Sequence, residues 1–298
     1  METNSKLCFP SILTRLPRSF AWRGLWLLLG YLSLAPAARG ATTLEQSYHL
    51  MYNLQFEEAR SELARWQAVQ PSDPRGPVSE AASYLFSELH RLGILETQFF
   101  ANNSSFRSKS QLSPNPEVRK VFDEALRRAE TLAQARLSRS PGDCDALFAM
   151  ALVHGLNSDY AALIEKRNLT ALRMTREGSE WAEKLLAIRP DYYDAYLATG
   201  INHYIMGSLF APVRWMLKMA GYKGDKKEGL RQLRLVADRG QLLAPFARLL
   251  LAIAHLRDNQ IPPAHSLLVA LRDEFPRNLL FAREVARLEN RELVTGGP

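Results

Sequence analysis

Four prolines constrain this chain more than any other feature. Each closes a stretch whose apolar residues recur at three- and four-residue steps. EEARSELARWQAVQP ends at Pro71, LRRAETLAQARLSRSP at Pro141, TREGSEWAEKLLAIRP at Pro190 and PPAHSLLVALRDEFP at Pro276. Proline lacks an amide hydrogen and pushes the residue before it out of the helical region, so each marks a helix end. Twelve residues before each proline stands a small residue: Ala59, Ala129, Gly178 or Ala264. Eight before stands Leu63, Ala133, Ala182 or Leu268, and five before stands Trp66, Leu185 or Leu271, with Arg136 the exception. Small residues let two helices approach closely and the apolar ones fill the contact, so one packing scheme is written four times.

The segments after the prolines agree. Pro141 leads into GDCDALFAMALVHG and Pro190 into DYYDAYLATGINHY, a period of 49 residues. Asp145 and Asp194 occupy matching places, as do Ala146 and Ala195, and His154 and His203. Taken alone, IRPDYYDAYLATGINHY gathers acids, phenols and an imidazole as an active site would. Its second copy makes it a joint between repeats, with Pro190 closing one helix, Asp191 capping the next and His203 in an aromatic's packing place. Alternating strand-like runs are scarce, Pro and Gly fall between the periodic segments, and only Gln70–Pro77 and Phe100–Pro116 read as long loops. The fold class expected is all-α.

These residues carry a resemblance. The chain resembles tetratricopeptide-repeat proteins, whose unit of about 34 residues pairs two antiparallel helices. Tyr196, Thr199, Gly200 and His203 stand at the family's first motif, and Ala59, Leu63 and Pro71 at the later ones. The 49-residue spacing equals that unit plus an insertion of about 15 around SDYAALIEKRNLTAL. Gly221–Gly240, followed by APFARLLLAIAHL, more narrowly resembles a divergent branch that includes a mitochondrial outer-membrane inclusion-clearance protein and its animal relatives. The resemblance implies a right-handed α-solenoid of antiparallel helix pairs with inserted helices, spanning residues 41–298. It also implies a concave groove that binds a protein or peptide, without catalysis or cofactor. The groove positions it implies are Phe148, Leu152, Asp194, Leu197, Ile201, Tyr204, Leu249 and Ile253. Asp145 and Asp194 stand where some members carry a carboxylate-binding asparagine, so an apolar or helical partner segment fits better than a C-terminal carboxylate. The competing expectation is that the chain's own inserted segments fill the groove.

Gly207–Lys227, GSLFAPVRWMLKMAGYKGDKK, is the best candidate for such a filler. Phe210, Val213, Met216 and Leu217 share one helical face, while Arg214 and Lys218 are spaced four apart on another. An apolar face beside Trp215 and several bases also describes a helix on an anionic membrane surface, with Phe210, Arg214, Trp215 and Lys218 as the contacts. After it, Asp225 reads as an N-cap with Glu228 as its capping-box partner.

Residues 1–40 read as an export leader. Gly24–Ala35 carries no charge, and its length suits a signal-peptide apolar region while falling short of a bilayer span. Small residues offer cleavage after Ala37 or Gly40; retention as a membrane anchor and a mitochondrial transit role are the alternatives. Cleavage after Gly40 lowers the net charge from +7 to +3, because Lys6, Arg15, Arg18, Arg23 and Arg39 leave with one acid, Glu2. A balance that ordinary argues for no nucleic-acid partner. The expected location is the periplasm or cell envelope. Cys144 alone would remain, which excludes an internal disulfide framework. Asn102, Asn103 and Asn168 match the glycosylation acceptor pattern. The chain contains no HExxH, GxSxG, P-loop or GxGxxG motif, and His154, His203 and His255, at staggered repeat positions, are not expected to converge on a metal.

Overall fold

The computed structural model describes residues 43–95, 112–219 and 224–295, so the leader and the acceptor residues Asn102 and Asn103 lie outside the described residues. The helices of the described residues belong to one unit of the chain, Thr42–Pro298. Among the described residues twelve α-helices follow one another: α1 (Leu44–Tyr52), α2 (Phe56–Val69), α3 (Arg75–Arg91), α4 (Pro116–Arg139), α5 (Cys144–Asp159), α6 (Asn168–Ile188), α7 (Tyr196–Ser208), α8 (Ala211–Met219), α9 (Lys226–Arg239), α10 (Ala244–Arg257), α11 (Ile261–Glu274) and α12 (Leu279–Thr295). No strand occurs among the described residues, so the class is all-α as expected.

The four prolines end helices by one local mechanism. Helices α2, α4, α6 and α11 stop at Val69, Arg139, Ile188 and Glu274, each two residues before its proline. Gln70, Ser140, Arg189 and Phe275, which precede the prolines, leave helical geometry with φ of −123°, −141°, −131° and −123°. Each still donates its amide to the carbonyl four residues back, at 2.8–2.9 Å. The repeated positions are interior: Ala59, Leu63, Ala129, Ala133, Ala182, Leu185, Ala264, Leu268 and Leu271 have no exposed surface.

Each helix packs on the next along the chain, except that α7 skips α8 and packs on α9. Skipping contacts from α3 to α5 and from α5 to α7 tie alternate helices together. Three apolar cores result. One joins α3, α4 and α5 around Leu85, Phe122, Met150 and Tyr160. A second joins α10, α11 and α12 around Leu268, Phe275 and Phe281. The central one gathers Leu63, Phe148, Leu185, Leu197, Leu233 and Leu251, and Leu44, Tyr48 and Met51 of α1 lie within it.

Helix α1 also reaches the far end of the chain. The Tyr52 hydroxyl donates to Leu242 O at 2.9 Å, Asn278 Nδ2 donates to Tyr52 O at 2.9 Å, and Arg277 N donates to Asn53 Oδ1 at 3.1 Å. The Tyr52 and Phe275 rings lie 5.2 Å apart. Residues more than 220 positions apart in sequence thus share one joint.

Three local readings are corrected. The loop expected over Gln70–Pro77 is shorter, because α3 begins at Arg75 and its first turn accommodates Pro77, whose missing amide hydrogen costs nothing there. The extra residues after α5 form no separate insertion. They lengthen α5 through a π-helical turn at Tyr160–Ile164 and extend α6 to 21 residues. Asp191 pairs with Arg189 (3.4 Å) instead of capping, and the chain enters α7 through a 3-10 turn at Tyr193–Ala195. After Pro141 a cap does form, one position further along, where Asp143 accepts the Ala146 amide at 3.0 Å.

Candidate functional site

The site begins at a pinched stem. Helices α7 and α9 cross where Gly200 and Gly229 meet, and a β-carbon on Gly229 would fall 2.7 Å from Gly200 O and still closer to Tyr204 N. Below the crossing, a β-carbon on Gly207 would strike the backbone of Lys226, and one on Gly224 would lie 2.8 Å from Gly207 N. Only glycine lets two backbones approach this closely. Polar bonds reinforce the stem. The Thr199 hydroxyl donates to Gln232 Oε1 (2.6 Å), Gln232 Nε2 to Glu228 Oε1 (2.7 Å), and Arg231 clasps Glu228 through both guanidinium arms (2.6 and 2.7 Å). The Arg231 bonds hold the Glu228 carboxyl down at about 2. Asp225 caps α9 as expected, accepting from the Lys227 and Glu228 amides at 2.8 and 3.3 Å. Glu228 is not its box partner, being committed to Arg231 and Gln232.

From this stem projects α8. Gly207–Lys227 was the best candidate for a groove filler, but among the described residues α8 shares no extensive contact with another helix, and every described side chain on it is exposed. Phe210 is 74% exposed, Trp215 67%, Met216 59%, Met219 73% and Val213 40%. Among the described residues nine large apolar side chains are exposed, and these five lie within ten residues, so the exposure is a local patch, not the scatter normal on any surface. Arg214 Nη1 donates back to Gly207 O at 3.1 Å, tying the first turn of α8 to the stem.

The expected groove residues are spread over the cores. Phe148, beside the Tyr192 ring at 5.0 Å, and Leu197 are buried in the central core. Leu152 and Ile201 pack half-buried on that core, Leu249 packs on the C-terminal one, and Ile253 is buried. Tyr204 is half-buried, with the Lys226 ammonium 5.9 Å from its ring centre. Phe148 and Leu197 share the central core with Leu44, Tyr48 and Met51 of α1, a segment that no repeat pattern marked.

Asp194 is buried and employed. Its carboxylate accepts the amides of Gln241, Leu242 and Leu243 at 3.0–3.2 Å, just before α10, whose own cap position holds Leu243 and offers no side-chain acceptor. Burial raises its pKa, and the three amides oppose the rise. Asp145, its counterpart one repeat earlier, does different work. It pairs with Arg75 (3.0 Å), which also grips Asp73 (2.7 Å), while Arg136 binds Asp143 (2.8 Å).

The three histidines do not share a partner. His154 Nδ1 lies 3.2 Å from Glu177, His255 Nδ1 lies 2.6 Å from Gln260, and His203 Nδ1 is buried without a hydrogen-bond partner. The Cys144 thiol, at the start of α5, rests 3.6 Å from Gly142 O. Asn168 is exposed at the start of α6. A cleft of about 420 Å³ lies beside α4, lined by Arg119, Asp123, Arg127, Glu130, Val153 and Asn157, and Arg119 is already paired with Asp123 at 2.7 Å. The stretch Cys144–Ile164 is apolar and long enough to cross a bilayer, but Leu147, Phe148, Met150 and Val153 on it are buried among α4, α6 and α7. No protein-family model matches this sequence, and no curated protein matches it.

Proposed function

We propose that this protein is an exported, non-catalytic helical-repeat scaffold of the tetratricopeptide-like α-solenoid kind, and that it docks on its target through α8. The repeat reading rests on the four proline-closed helices with their buried small residues, and on the ladder of contacts between consecutive and alternate helices. A groove-bound partner carries less, since Phe148 and Leu197 are buried within the central core.

One observation carries the docking reading: a nine-residue helix exposes Val213, Trp215, Met216 and Met219 and shares no extensive contact with another helix among the described residues. Isolated helices shorter than about 12 residues are marginal in water, and a cluster of exposed apolar side chains adds an unfavourable hydration term. Both costs are relieved when a target covers the helix. The test is fractionation of cells producing the full chain or its Phe210→Ser/Trp215→Glu double variant. The wild type is expected with particulate material and the variant in the soluble fraction. An identical distribution overturns the reading.

A further inference from the structure

We infer that the surface α8 docks on is an anionic lipid interface, with the helix lying in the headgroup region. This rests on the docking reading above and names its target. Three observations select a lipid interface over a protein groove. The first is the arrangement of exposed apolar groups. Val213, Trp215, Met216 and Met219 span an arc of about 160° at 100° per residue, wider than the roughly 100° of an i, i+3, i+4, i+7 stripe, and all are exposed. A protein groove grips one stripe of a helix, spaced i, i+3, i+4, i+7. A fluid interface admits a wider arc, because acyl chains rearrange around whatever is inserted.

The second is charge. From Ala195 to Gly224 the chain has no Asp or Glu, while Arg214, Lys218 and Lys223 are basic. On the far side of the stem the acid Asp258 is neutralised by Lys226 at 2.6 Å. Residues 195–224 therefore carry a net positive charge, which complements anionic headgroups. The third is residue type. Trp and Phe place a broad apolar ring at the boundary between headgroups and chains, and the indole N–H keeps a polar end for the wet side. The stem makes this geometry usable. The Gly207–Gly224 approach and the Arg214–Gly207 bond hold the base of the segment against the α7–α9 pair, so α8 is presented outward.

The test uses the full chain and reads Trp215 itself, so that any contribution of the leader to vesicle binding does not enter. Fluorescence of wild type minus that of Trp215→Phe isolates the Trp215 emission. With vesicles of brominated phosphatidylglycerol and phosphatidylcholine, this emission is expected to shift to the blue and be quenched. Neutral phosphatidylcholine vesicles should bind about thirtyfold more weakly, the effect of two bases near an anionic surface. A second variant, Arg214→Glu/Lys218→Glu, should lose the anionic preference while melting as the wild type does, because α8 supports no core. Equal quenching by neutral vesicles overturns the anionic assignment. A Trp215 emission unchanged by either vesicle overturns the lipid interface altogether. In that case, redistribution of Phe210→Ser/Trp215→Glu in cells would leave the docking reading standing with a protein target. No redistribution would remove both.

Discussion

The Asp194 carboxylate accepts the Leu243 amide at 3.0 Å across 49 residues of chain, and with the Gln241 and Leu242 amides it supplies the cap that α10 lacks. A buried carboxylate is costly unless such donors surround it. Asp194→Ala leaves three amides without their acceptor and is expected to destabilise the protein by about 2–4 kcal/mol. Chemical denaturation of wild type and variant measures this. The neighbouring Gly240 has no room for a side chain, since a β-carbon there would sit 2.6 Å from Asp194 Oδ1.

A second expectation concerns α1. Tyr52→Phe removes the hydroxyl that reaches Leu242 O and keeps the ring against Phe275, so a loss of about 1 kcal/mol is expected. Met51→Asp, which puts a charge into the central core, should cost several times more. If both variants unfold like the wild type, α1 does not belong to the cooperative unit.

The α7–α9 crossing sets a third. Gly229→Ala forces a methyl group into the Tyr204 and Gly200 backbones and should cost about 1–3 kcal/mol, the range for overpacking a tight contact. Thermal melting checks it, with Gly155→Ala as the control, because a β-carbon there meets nothing within 4 Å.

Acid should loosen the same stem. Arg231 holds the Glu228 carboxyl at about 2, below its ordinary 4.5, so its contribution is fully present above pH 4.5 and is lost as pH falls toward 2. Glu228→Gln should lower the melting temperature at pH 7 and leave less difference from wild type near pH 2. A constant difference across that window would contradict the ion pair's role.

Legibility in the sequence followed the range of each interaction. Helix ends at Val69, Arg139, Ile188 and Glu274 were readable because proline acts on the residue beside it. The burial of Ala59, Ala129 and Ala264 was readable because the spacing repeats. Asp194 stood out as a polar residue at a repeat joint, yet its partners lie 47–49 residues away in a loop with no periodic mark, so its task was not readable. The seat of α1 was hidden for the same reason, since Tyr52 meets Leu242 and Asn278. For α8 the spacing gave a helix with apolar and basic faces. Spacing is identical for a face turned inward and one turned to solvent, and only the Gly207–Gly224 pinch decides that it projects.

Hydrogen exchange across Ala211–Met219 tests the central claim most directly. In water these amides should exchange fast, because the described side chains of α8 are exposed and it shares no extensive contact with another helix among the described residues, while those of α7 and α9 remain protected. Anionic vesicles should slow exchange in α8 and leave α7 and α9 unchanged. Slow exchange in water, or fast exchange that vesicles and cell membranes leave untouched, would contradict α8 as the docking element.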